Sequence, residues 1–257
     1  MIDKEGKYIY CIIGTSQERS FGPMGIGGRG DDVMTFGHND LSMVVSSHPI
    51  AKLTVNSDNM LTHERVIETV MKEFDSVLPV RFGTIASNAD EIRRLLDRRY
   101  REFKNALRDA DHKVELGVKG IWKDMGIIFK EVVDDNKAIK NTKEDIQHDK
   151  NKKNIQAKME VGKLVEKALE KKKAKEAEKI VDALRRTAFD YKLNKTVGDE
   201  MFVNAAFLVD KGREKEFDNI MCDLGEEHKR RVKFMYTGPL PVFNFVNIVI
   251  YPEEWEK

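Results

Sequence analysis

The sequence predicts an α+β protein of two domains, and three observations lead there. Residues 1–111 alternate short β-prone runs with two amphipathic helical stretches. Residues 112–257 mix strands and helices again, in a different order. None of the six prolines falls between Pro79 and Pro239, so that interval is free to hold long helices.

In the first domain, KYIYCII (residues 7–13) is β-rich and reads as a strand. Residues 14–32 carry six glycines and read as a loop. VMTFG (33–37) and LSMVVSS (41–47) flank His38-Asn39-Asp40, a hairpin signal. Ser57 or Asp58 is placed to cap a helix carrying Leu61, Val66, Val70, Met71 and Phe74 at helical spacing. His63, near its start, reads as a surface or capping group. VLPVRFGTIA (77–86) reads as one strand with Pro79 near its start. Ser87-Asn88 then opens a helix from Ala89 to about Arg108, with Ile92, Leu95, Leu96, Phe103 and Leu107 on one face.

In the second domain, VELGVKGIW (114–122) alternates as a strand does, and MGIIFKEVV (125–133) leans towards helix. A lysine-rich helical segment follows over about 135–192. Between Lys137 and Lys179 there are 14 lysines against 8 acidic residues, and no aromatic occurs between Phe129 and Phe189. From Ile155 to Tyr191 good helix formers run throughout, with a narrow apolar stripe that would extend roughly 55 Å if wholly helical. MFVNAAFLVD (201–210) reads as a strand and residues 214–231 as a helix with Phe217, Ile220, Met221 and Leu224 inward. VKFMYTG (232–238) and VFNFVNIVIY (242–251) read as strands joined by a proline corner. This order is compatible with a ferredoxin-like arrangement.

Composition narrows the function. Lys+Arg 45 against Asp+Glu 44 leave a formal net charge of +1, without the excess of base a general nucleic-acid binder needs. Charged residues make up 35%, so a long element must be mostly solvated. Cys11 and Cys222 both lie in apolar runs and are expected to be buried thiols. Two cysteines build neither a disulfide framework nor a four-thiolate metal site, and a reducing cytoplasmic compartment is expected. No stretch approaches the roughly 18 apolar residues of a membrane span, so no lipid-membrane partner is expected.

The chemical motifs are weak. Gly25-Ile26-Gly27-Gly28-Arg29-Gly30 matches G-x-G-x-x-G, but the next segment looks extended and offers no helix N-terminus to a phosphate. The six histidines show no ligand-pair spacing, so no metal is expected. Neither cysteine has a local activating partner, and paired acids such as Asp31-Asp32 and Asp134-Asp135 sit in loop-like segments. No catalytic residue, no cofactor and no enzymatic activity is therefore expected. The lysine tract lacks the aromatics that stack bases and interleaves acids, so it reads as a solvated helix face.

Three segments are more specific. Arg81 stands inside the apolar run Val80-Arg81-Phe82-Gly83-Thr84, costly unless paired or at an edge. Glu115 and Lys119 share a strand face with Gly117 between them. Tyr236-Thr237-Gly238-Pro239-Leu240-Pro241-Val242-Phe243-Asn244-Phe245 is a rigid corner presenting aromatics, with Asn244 available to bond the turn backbone. Taken in order, and with the Tyr8-Ile9-Tyr10 strand, the Leu41–Ser46 segment and the His63 helix, LPVRFGT, ELGVK and YTGP-P-NFV resemble the gas vesicle GvpF/GvpL family over nearly the whole chain. The corner departs from the family in lacking an aromatic after its first proline, and the lysine-rich stretch is more basic than is typical.

The resemblance implies an accessory protein with an N-terminal α+β domain and a modified ferredoxin-like C-terminal domain. It implies gas vesicle association, a role in shell assembly, and as partners the small hydrophobic shell protein GvpA and other accessory gas vesicle proteins. Arg81, Phe82, Gly83, Thr84, Glu115, Lys119, Tyr236, Gly238, Pro239, Pro241, Asn244 and Phe245 are the candidate interface or domain-junction residues. A ligand-binding regulatory module built on ferredoxin-like domains is the alternative.

Overall fold

The computed structural model describes residues 5–51, 53–140 and 154–250. Its chain forms two compact units: Met1–Glu115 with Asp210–Gly212 and Gly238–Lys257, and Leu116–Val209 with Arg213–Thr237. The main run of the first unit ends at Glu115, and the segment from Gly238 onwards is grouped with it.

The first unit is built on a six-stranded sheet ordered β2(Ser20–Gly22), β3(Val33–His38), β4(Leu41–Pro49), β1(Glu5–Ile13), β5(Val77–Pro79), with β6(Ile85–Ala86) also pairing with β1. β1 and β4 pair antiparallel along their lengths, and both are buried almost throughout. Burial of successive residues means that both faces of these strands are covered. Helix α1(Ser57–Met71) brings Val66, Ile67 and Val70 into a cluster with Tyr8, Tyr10, Ile13 and Val44. Each such aliphatic side chain contributes about 1.5–3 kcal/mol on burial. Helices α2(Ala89–Arg98) and α3(Tyr100–Ala110) pack on β3, β4 and β5.

Several sequence expectations are corrected. The cap of α1 is Asn56, whose side chain accepts from the Asn59 amide; Ser57 and Asp58 are already helical. The apolar face of α1 is rotated from the expected one, so that Leu61 is exposed and His63 is buried. The single strand expected over 77–86 is interrupted: Thr84 Oγ1 donates to the Arg81 carbonyl, and Gly83 takes φ +86°, the left-handed region. The single helix expected over 89–108 breaks at Arg99 (φ −102°, ψ 20°) into α2 and α3. Its start is capped by Asn88, which accepts from the Glu91 amide, while Glu91 accepts from the amide of Ser87, one residue before the cap.

The second unit carries the four-stranded sheet β10(Val232–Leu240), β7(Lys113–Trp122), β9(Met201–Asp210), β8(Ala188–Leu193). Chain order is β7, α4(Met125–Asp134), α5(Asn154–Leu184), β8, β9, α6(Glu214–Glu227), β10. With the strands numbered one to four, the sheet order is 4-1-3-2, the ferredoxin-like arrangement with an added helix. It arises differently from the expectation. Helix α5 stops at Leu184, where Thr187 Oγ1 donates to the Leu184 carbonyl, and Ala188–Leu193 becomes the strand that pairs antiparallel with β9. Residues 242–250 do not form the expected last strand: Phe245 and Val246 amides both donate to the Val242 carbonyl, closing a turn. Of the lysine-rich segment, residues 141–153 lie outside the described residues. Cys11 is buried as expected, but Cys222 is exposed on α6. Among the described residues no helix is long and apolar enough to cross a membrane.

Helix α5 is held by charge as well as by Leu169, Ala177, Ile180, Val181 and Leu184. Arg231 donates to both oxygens of Glu131 (2.6 and 2.8 Å) and to Glu176 (2.8 Å), whose other oxygen accepts from Trp122 Nε1 (2.7 Å). Lys172 adds a 2.9 Å contact to Glu131. Arg231, and then Lys172, hold the Glu131 carboxyl at about 2, well below the usual carboxylate range. A lowered folded-state value stabilises the fold above pH 4.5, and that contribution is lost as pH falls towards about 2. Replacing Arg231 by Met therefore costs about 1 kcal/mol at neutral pH, since the pair is partly exposed. In urea titrations the variant and the parent converge in acid; a gap that persists there contradicts the assignment.

Candidate functional site

The expected candidate residues fall into three groups. Arg81, Phe82, Gly83 and Thr84 form the turn between β5 and β6, where Arg81 is exposed and the expected cost of burying it does not arise. Glu115, Gly238, Pro239, Pro241, Asn244 and Phe245 belong to the same unit. Glu115 is 3% exposed, and its carboxylate accepts from the Asn244 backbone amide (2.7 Å) and from Asn244 Nδ2 (2.5 Å). Asn244 thus serves Glu115, where the sequence suggested the turn backbone. Gly238–Pro239 is a cis peptide, and Phe245 is half-buried. Lys119 and Tyr236 belong to the second unit. Lys119 is exposed, whereas Glu115, four residues before it on the same strand, is buried. Tyr236 donates to Asp218 (2.6 Å) and stacks on Phe217.

What organises the first group is a pair of buried tyrosines on β1. Tyr10 Oη meets Ser46 Oγ (2.8 Å) and accepts from the Ile26 amide (2.7 Å). Tyr8 Oη accepts from the Gly83 amide (3.1 Å) and lies 2.9 Å from His63 Nδ1. The Gly83 amide can only donate, so the Tyr8 proton is free to go to Nδ1. In the neutral tautomer with the hydrogen on Nε2, Nδ1 accepts from Tyr8. His63 is 4% exposed, and its Nε2 is sealed from water close to the Val80 backbone. Burial pushes its pKa down to about 4, and the Val80 backbone beside the ring opposes that shift.

The His63 ring lines a cleft of about 620 Å³ between α1, the segment Pro79–Phe82 and the segment Phe243–Val249. Phe82 meets the imidazole edge-to-face at 5.6 Å, Tyr10 stacks on it at 5.6 Å, and Phe243 lies 6.4 Å away. The far wall is pinned by Glu115 at Asn244, by the Arg81 amide on the Ile248 carbonyl (3.3 Å) and by Arg99 Nη1 on the Val249 carbonyl (3.0 Å). Val80 and Ile248 form a parallel bridge there. Sequence reasoning singled out Arg81 and Phe82 but missed His63 as a site residue. The signal lay in its position three and four residues before the buried Val66 and Ile67, which puts it on the core face.

The Gly25–Gly30 loop is a turn with positive φ at Gly27, Gly28 and Gly30 that leads into the strand β3. Its buried Ile26 makes it part of the core. No three His, Cys, Asp or Glu residues gather as a metal site among the described residues.

Two outcomes are expected. With the ordinary value of 6.5 in the unfolded chain against about 4 in the fold, His63 takes up its proton on unfolding, so stability falls as pH drops from 6.5 to about 4. The loss is on the order of 3 kcal/mol, and His63→Phe abolishes that slope in pH-dependent urea melts; an unchanged slope refutes the assignment. Glu115→Ala leaves the Asn244 amides without their acceptor and costs about 1–3 kcal/mol. Amide exchange at Asn244 should accelerate more than in α2, and equal acceleration would count against the pin.

Comparison with known proteins adds a second line. A family model described as "Gas vesicle synthesis protein GvpL/GvpF" matches residues 6–247. Gas vesicle protein F1 of Halobacterium salinarum is 23% identical over 252 residues, 97% of each chain. Gas vesicle protein F of a Streptomyces species is 27% identical over 242 residues, 93% of this chain and 98% of that one. The fold matches the crystal structures of GvpF from an Anabaena species (TM-score 0.81, 20% identity) and from Microcystis aeruginosa (TM-score 0.80, 21% identity), each covering 95% of this chain and 99% of the other.

Proposed function

Because this chain belongs to the gas vesicle synthesis protein GvpL/GvpF family, we propose that it acts in vesicle formation by binding the hydrophobic shell protein GvpA and helping to nucleate or chaperone the shell. Other accessory gas vesicle proteins are proposed as further partners. The observation that carries this reading is the apolar, firmly braced surface of the first unit, where Met60, Phe82, Phe243, Val246 and Val249 surround the cleft beside the exposed turn at Arg81. Side chains of this kind on a fixed backbone suit recognition of an apolar polypeptide, since little conformational entropy is lost on binding.

The physical need is plain. An apolar shell subunit free in water aggregates, and a partner that covers its apolar face lowers the concentration of the sticky form while presenting it in one orientation. The turn at 81–84 and the corner at 236–245 are the proposed contact or junction elements.

Co-expression with GvpA followed by pulldown tests this. Wild-type chain should retain GvpA, and folded Arg81→Ala and Phe245→Ala variants should retain several-fold less. Equal retention by both variants would remove these elements from the interface, and no retention by wild type would remove the function.

A further inference from the structure

We infer that the outer edge of the second unit's sheet, strand β8, pairs antiparallel with the same edge of a second copy of this chain across a two-fold axis at Tyr191. The inference is independent of the proposed shell binding. β8 ends the sheet order, and among the described strands only β9 pairs with it. That edge is apolar: Phe189 is 64% and Leu193 61% exposed, with Tyr191 and Val197 exposed beside them. An open strand edge that bears apolar side chains is a template for another strand.

The register with β9 fixes which backbone groups are on offer. The Asn194 amide donates to the Asn204 carbonyl (2.7 Å), and the pairs continue as Leu193–Ala205, Lys192–Ala206 and Tyr191–Phe207. In an antiparallel ladder, hydrogen-bonded pairs alternate with pairs that are not. The backbone of Asn194 and Lys192 therefore bonds to β9, and the N–H and C=O groups of Tyr191 and Leu193 point away from it. Accordingly, the Tyr191 N–H donates to the side chain of Asp190 (2.8 Å) and to no strand.

The side chains select a second copy as the added strand. Self-pairing centred on Tyr191 sets Asp190 of each copy opposite Lys192 of the other, at the closely spaced positions of the ladder. It also brings Phe189 towards Leu193 of the second copy. Centring on Lys192 would oppose two lysines, and centring on Leu193 would set Lys192 against Asn194. On pairing, the Tyr191 N–H passes to the Tyr191 carbonyl of the second copy, and Asp190 turns to Lys192. Such a two-fold contact closes on itself and does not propagate. The bulge between Ala188 and Asp190 ends the regular edge, so the shared ladder is short and the dimer dissociates on dilution.

Sedimentation of the purified full chain over a range of concentrations tests this. Wild type should run as a dimer at high concentration, with amide exchange at Tyr191 and Leu193 slowed there relative to dilute protein. Asp190→Lys sets like charges against each other and should weaken the dimer by about tenfold or more. Adding Lys192→Asp to that variant restores opposite charges and should restore the dimer. Leu193→Pro removes an outward donor without touching the ladder to β9 and should give monomer. Circular dichroism confirms that each variant is folded, and Asp190→Lys, at an exposed position, keeps the test valid if Leu193→Pro does not fold. Wild type that is monomeric at every concentration would overturn the inference and leave the proposed function standing. Monomeric wild type whose retention of GvpA is lost in Leu193→Pro would overturn self-pairing and give the edge to the shell protein. A dimer unmoved by the single variants would overturn it by placing the contact elsewhere. A double variant as weak as Asp190→Lys alone would overturn the register.

Discussion

Two phenol hydroxyls buried in the central strand of the first unit impose most of its local architecture. Tyr8 and Tyr10 are wholly buried on β1, and a hydroxyl withdrawn from water must find partners. Those of Tyr10 are Ser46 on the neighbouring strand and the backbone of the glycine-rich loop at Ile26. Those of Tyr8 are the turn at Gly83 and the helix α1 at His63. Four separate pieces of chain are thereby tied to one strand. Loop 25–30, turn 81–84 and helix α1 are each tied to β1 through these two oxygens.

The same economy produces the cleft. Tyr8 engages Nδ1 of His63, burial keeps the ring neutral, and the ring forms part of the wall of the space between α1 and the Phe243–Val249 segment. That segment is irregular, and it is held by Glu115, the Arg81 amide and Arg99. A wall made of braced but non-repetitive backbone leaves apolar side chains at its surface without building them into a sheet. The second unit solves a different problem. Its ferredoxin-like sheet carries a long helix whose charged face is tied down by the Glu131–Arg231–Glu176 cluster.

Where periodicity is strong, the fold was legible in the sequence. The hairpin over 33–47, the buried face of α2 and α3, and the inward residues Phe217, Met221 and Leu224 of α6 all follow from patterns of two or about four. Local propensity misled at Ala188–Leu193, where good helix formers run up to the boundary but Phe189, Tyr191 and Leu193 alternate as a strand does. It misled again at 242–250, where β-branched and aromatic residues form a turn because Glu115, far away in sequence, captures Asn244. His63 was hidden for the same reason: its partner Tyr8 is distant along the chain, and no local rule announces a tertiary hydrogen bond. The family motifs pointed to Arg81 and Phe82, which line the cleft, and to Glu115 and Asn244, which brace it.

Amide hydrogen exchange of the full chain, alone and with purified GvpA, addresses the central claim most directly. The account predicts added protection concentrated in residues 79–84 and 243–249 and in the first turns of α1. Protection confined to other surfaces, with these segments exchanging as in the free protein, would contradict it.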